Sequence, residues 1–100
     1  MVKVGERVGA VMKAKEGVVH LFGYGVRIED KVPPANAGGF GSLLHEVGAP
    51  NCCLRLDNGD EIFGCECWWG DEESIKKRFA NYTVVQASIS EIRQEIKHHG

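Results

Sequence analysis

No stretch of this 100-residue chain approaches the ~18 consecutive apolar residues that would suggest a membrane-spanning helix. Its start, MVKVGERVGAV, lacks the apolar core of a secretory signal, so a cytoplasmic protein is expected. Blocks of like charge are missing too, and the net charge is only −2. That speaks against a strong nonspecific nucleic-acid binder, which needs a broadly basic surface. The four cysteines include no C-x-x-C pair, the usual source of structural zinc ligands, and no secretory context for a disulfide framework. There is no phosphate loop with its lysine, no H-E-x-x-H, no paired-carboxylate spacing and no serine–histidine–aspartate order. Catalysis therefore has no positive sign, and no cofactor is implied.

What is present fits one globular domain spanning residues 1–100, with 43% hydrophobic and 26% charged residues. Val8 to Lys13 and Val18 to Ile28 read as two strands broken at Glu16-Gly17. Gly23 and Gly25 suit a bent or bulged second strand, and Pro33-Pro34 ends its pairing. Ser42 is a candidate cap for about two helical turns carrying Leu43, Leu44 and Val47, stopped by Gly48.

The clearest signal is CCLRLDNGDEIFGCECWW, two apolar runs around Asp57-Asn58-Gly59. A three-residue loop sets Arg55 opposite Glu61 and Leu54 opposite Ile62, which favours it over a two-residue turn that opposes Asp57 and Asp60. Asp71 then caps a helix with acids first and Lys76, Lys77 and Arg78 last, as the helix dipole prefers. YTVVQAS reads as a short strand. A final helix begins at the Ser88–Glu91 capping box and shows Ile89, Ile92 and Ile96 on one face. The expected architecture is α+β: a small curved, mostly antiparallel sheet, or SH3-like partial barrel, of about five strands covered by two helices.

Through VGAV, LFGYG, LDNG and above all GCECWWG, the chain resembles small uncharacterised bacterial and phage proteins carried on mobile elements and gene cassettes. The resemblance implies a bacterial, intracellular setting and carries over no site residues. The GVV…GYG stretch is also similar to the glycine-punctuated strands of SH3-like RNA- and protein-binding barrels.

GCECWWG also concentrates the candidate chemistry. As a continuing strand it puts Cys65 and Cys67 on one face with Cys53, and Glu66 on the opposite, solvent face. Those three thiols, with His20 from another strand, are the only metal or redox set the pattern offers; ordinary core thiols are the plainer reading. Trp68 and Trp69 cannot both enter one core while the strand continues. One anchors the interior, and the other lies beneath the next helix, in an interface or exposed. The primary expectation is a non-enzymatic interaction module that self-associates and meets a protein or small-molecule partner through Trp68, Trp69, Tyr24, Phe22 and Glu66. Two alternatives remain: a nucleic-acid-binding barrel stacking bases on Tyr24 and a tryptophan with phosphates on Lys13, Lys15, Arg27 and Lys31, and a thiol or metal protein using Cys53, Cys65 and Cys67.

Overall fold

The computed structural model describes residues 2–99, with side chains through residue 95. Its strands are β1 (Arg7–Lys15), β2 (Val18–Lys31), β3 (Asn51–Leu56), β4 (Glu61–Phe63), β5 (Trp68–Asp71) and β6 (Thr83–Gln86); its helices are α1 (Gly41–Val47), α2 (Glu72–Arg78) and α3 (Ile89–His99). The expected α+β class is correct, with a sixth strand and the α1 turns completing it. The sheet is open and runs β4-β3-β2-β1-β5, mostly antiparallel, while β6 lies parallel to the first half of β2.

The long strand β2 organises this sheet. Residues 18–26 pair with β1, residues 18–21 also with β6, and residues 25–31 with β3. Between these halves the β1 register slips: Ala10 faces Gly23 while Val11 faces Leu21, leaving Phe22 as the extra residue. This is a bulge, and it adds a bend. Gly23 sits there at φ +139°, a conformation L side chains rarely adopt. The β1–β2 turn is equally specific, because Glu16 and Gly17 both take positive φ, as a tight two-residue hairpin requires.

The second hairpin has the expected register: Arg55 faces Glu61, Leu54 faces Ile62 and Cys53 faces Phe63. Gly59, at φ +96°, supplies the left-handed step of its three-residue loop. Arg55 Nη2 donates to Glu61 Oε2 at 2.9 Å, so opposite charges do meet across the strands.

Both sheet faces are buried, each under one helix. Under α3, Val8, Ala10, Phe22, Leu54, Leu56, Ile62 and Ile89 form one cluster, with Trp69, Cys67 and Ile92 packed at its margin. Under α2, Val11, Val19, Leu21, Ile75 and Phe79 form the other, with Tyr24 beside it. Strand alternation splits β1 between the two: Val8 and Ala10 face α3, and Val11 faces α2.

The helix starts show what capping does and does not specify. Asp71 caps α2, its Oδ1 accepting from Ser74 N at 3.0 Å and Oδ2 from Ser74 Oγ at 2.6 Å. Ser88 Oγ accepts from Glu91 N at 3.4 Å ahead of α3. Ser42, by contrast, does not cap α1: the helix begins one residue earlier, Phe40 occupies the cap position without a side-chain bond, and Ser42 lies inside the first turn. Gly48 ends α1 in the left-handed conformation at φ +70°. The side chain of Ile96, expected on the apolar face of α3, lies outside the described residues.

Candidate functional site: the Trp68 cleft

Asp71 and Gly70 pair with Val8 and Gly9, so β5 is held against β1, and Trp69 and Trp68 fall opposite Ala10 and Val11. Cross-strand partners share a face. Trp69 therefore joins Ala10 under α3, and Trp68 joins Val11 on the α2 side. Trp69 is largely buried, with the Arg27 guanidinium 5.7 Å from its ring centroid. Trp68 remains 49% exposed.

The Trp68 ring is nonetheless held. Its edge meets Phe79 at 5.9 Å between centroids and 88° between planes, and the Arg78 guanidinium lies 4.9 Å from its centroid. Phe79 in turn meets Tyr82 edge-on at 5.0 Å. These rings border a cleft of about 300 Å³ whose other lining residues are Val11, Met12, Lys13, Ala14 and Arg78. The cleft lies where β5 begins: Trp68 is its first residue, opposite Val11, so beyond Val11 the side of β1 away from β2 has no strand beside it among the described residues. Tyr82 leads directly into β6, where Val84 is 57% exposed.

The other expected site residues lie elsewhere. Phe22 is 2% exposed in the α3-side core and cannot meet a partner. The bulge is the reason: it places Phe22 and Tyr24, two apart in sequence, against opposite core clusters. Tyr24 lies over Gly9, where a Cβ would come within 2.9 Å of its ring, and Lys76 Nζ is 5.1 Å from its centroid. It is thus attached one turn earlier on α2 than the cleft residues.

Glu66 overturns the solvent-facing expectation. The strand is interrupted by a single 3₁₀ turn, Gly64–Glu66, and alternation does not apply across it. The Glu66 side chain is 2% exposed. Its Oε1 accepts from Phe63 N at 3.0 Å and from Arg93 Nη2 at 2.6 Å, and its Oε2 accepts from Arg93 Nε at 2.8 Å. Arg93 also donates to the Glu61 carbonyl at 3.0 Å, and its bonds to Glu66 raise its pKa further. Two of the carboxylate's three hydrogen bonds come from Arg93 and fasten α3 to the sheet.

The same turn rearranges the thiols, all four of which are free. Burial pushes Cys67 up to about 12, and Glu66, Cys52 and Cys65 add to that rise. Cys53 is fully buried opposite Phe63 and is pushed up to about 11, first by burial and then by Glu61. Cys53 thus belongs to a different neighbourhood from Cys67. His20 borders another hollow, with Met12, Gln86 and Glu91. Among the described residues no group of three or more His, Cys, Asp or Glu side chains could hold a metal ion. Protonated, buried thiols are poor nucleophiles.

Of the four cations expected to meet phosphates, two are engaged: Arg27 with Asp30 and the Val2 carbonyl, Lys31 with Glu61 at 2.6 Å. Lys13 lines the Trp68 cleft. The sequence reading missed Tyr82 and Arg78 as neighbours of Trp68. A place beneath the next helix was one of those expected for the second tryptophan, but no local signal singles out Arg78 and Phe79 as the residues that meet it. Leu43 and Val47 were expected on this short helix, but not that they and Phe40 stay exposed on α1, at 57%, 67% and 68%. Their i, i+3, i+7 spacing puts them on one helix face. Among the described residues no helix is long and apolar enough to cross a membrane. The chain matches no protein-family description, no curated protein and no solved structure.

Proposed function

We propose that this chain is a non-catalytic interaction module that self-associates and receives a partner on the Trp68 surface. The observation that carries this reading is the half-exposed Trp68 ring, fixed between Phe79 and Arg78 beside a cleft. A rigid aromatic side chain supplies contact area at low entropic cost and is enriched among residues that dominate binding energy. Self-association is assigned to the α1 stripe, because Phe40, Leu43 and Val47 form an apolar face that no described element of the same chain covers. The SH3-like likeness belongs to the same proposal; the bent β2 and the return of β5 to β1 support it. The bacterial mobile-element setting is likewise proposed, on the GCECWWG resemblance alone.

Native mass spectrometry of the untagged protein tests the assembly. A dimer or larger oligomer is expected, and Leu43→Glu should give a folded monomer while Trp68→Ala leaves the assembly unchanged. A wild-type monomer at every soluble concentration would reject self-association. An oligomer unchanged by Leu43→Glu would reject α1 as its contact.

A further inference from the structure

Most cations of the chain are paired: Arg7, Arg27, Lys31, Arg55, Lys76 and Arg93 are all tied to carboxylates. Lys3, Lys15 and Lys77, like Lys13 and Arg78, have no ion pair among the described residues. What distinguishes Lys13 and Arg78 is their place beside Trp68, where both line the cleft. Three of the remaining lining residues are aromatic, the rest are apolar, and none is acidic. On a chain of net charge −2, this is a local site for negative charge beside a half-exposed aromatic ring over which the Arg78 guanidinium already lies. At about 300 Å³ it falls at the small end of ligand sites, room for a single planar group.

Phosphates alternating with planar bases match that lining. We propose that the cleft binds single-stranded nucleic acid, with one base stacked on Trp68 against Tyr82 and the flanking phosphates on Lys13 and Arg78. The proposal rests on the reading of the Trp68 surface as a binding surface and names its partner. It also corrects the residue set expected from sequence. Arg27 and Lys31 are occupied and Tyr24 lies elsewhere, while Arg78 and Tyr82 join Lys13 and Trp68. Base–aromatic stacking supplies affinity without sequence readout, because every base has a π-face. Two phosphate contacts make the binding weak and salt-dependent rather than strongly adhesive.

The test is fluorescence anisotropy of labelled oligouridylate and oligothymidylate, roughly ten nucleotides long, titrated with wild-type protein over a range of salt. Saturable binding is expected at low salt, with a log–log salt slope of about −1.4, from two phosphates at ~0.7 each. Trp68→Ala should weaken binding at least about fivefold, the lower bound for loss of one stacked base. Trp68→Phe should recover part of it. Lys13→Ala and Arg78→Ala, both surface changes, should each weaken binding and lower the salt slope by about 0.7. No binding at low salt overturns the proposal, as does equal affinity for uridine monophosphate. Equal affinity for polyglutamate overturns it as well, while leaving the Trp68 surface as a protein-binding site. Oligonucleotide binding that survives Trp68→Ala and Arg78→Ala undiminished overturns both the partner and the surface.

Discussion

Trp68 and Trp69 are adjacent and chemically identical, yet one closes the interior and the other meets solvent. Strand alternation sends them to opposite faces. Their different fates depend on how each face is fastened. On the α3 side, a buried carboxylate–guanidinium pair locks helix to sheet, and Trp69 is packed behind the 3₁₀ turn that carries Glu66. On the α2 side the charges are exposed: Arg7 bonds Asp57 and Glu72, and Glu72 bonds Lys76. Only Ile75 and Phe79 enter the core there. The α3 face is built for closure; the α2 face leaves an aromatic surface free.

The difference is broken most severely by removing one half of the buried pair. Arg93→Met leaves the Glu66 carboxylate without its cation in a 2% exposed position and should cost about 3–5 kcal/mol. Thermal denaturation would show this as a Tm lower by at least about 12 °C. A loss too small to detect would mean that α3 is held by its isoleucines instead.

Next in size is the tryptophan pair itself. Trp69→Ala should destabilise the fold by about 2–4 kcal/mol in urea titration, somewhat less than for a fully enclosed ring. Trp68→Ala should stay within about 1 kcal/mol of wild type. Equal costs would erase the contrast between the faces.

The thiols sharpen the comparison through pH. Cys53 and Cys67 stay protonated in the fold up to about 11 and about 12, above the ordinary thiol value of 9.0. Between those limits the unfolded chain has released protons that the folded chain retains. Stability therefore falls as pH rises, by up to about 1.4 kcal/mol per thiol per pH unit. Equilibrium unfolding from pH 8 to 11 should show the decline beginning near pH 9, with a shallower slope in Cys67→Ala. At neutral pH, neither thiol should be alkylated by iodoacetamide without prior unfolding.

The smallest effect belongs to the exposed network. Hydrogen bonds from Arg7 hold Asp57 below the usual carboxylate range, and bonds from Lys76 and then Arg7 do the same for Glu72. Their contribution is present above that range and lost as pH falls through and below it. In high salt the acid-side loss should shrink, since exposed pairs are screened. Salt-independent acid unfolding would show that these exposed pairs do not set the acid-side loss.

The legible parts of this fold were those with local chemistry. Asp57-Asn58-Gly59 encodes its hairpin because only one register matches Arg55 with Glu61, and Asp71 encodes a helix start through a bond three residues away. Chain order cannot reveal what depends on a distant partner. The Phe22 bulge, the turn that buries Glu66 against Arg93, and the placement of α2 beside Trp68 are all such cases. The bulge and the turn each broke an alternation argument at the point where a strand ceased to be regular. Trp68 could be named as a site candidate from sequence, but its neighbours Arg78 and Tyr82 could not.

The parallel pairing of β6 with β2 also imposes a schedule on synthesis. Val18–Leu21 must wait for Thr83–Gln86, 65 positions later. At about 5–20 residues per second, that leaves one edge of β2 without its strand for roughly 3–13 seconds of translation. For that interval the nascent chain carries an open apolar strand edge, the template most prone to pairing with a neighbouring chain. The strand that covers this edge of β2 is therefore the last of the six to be made.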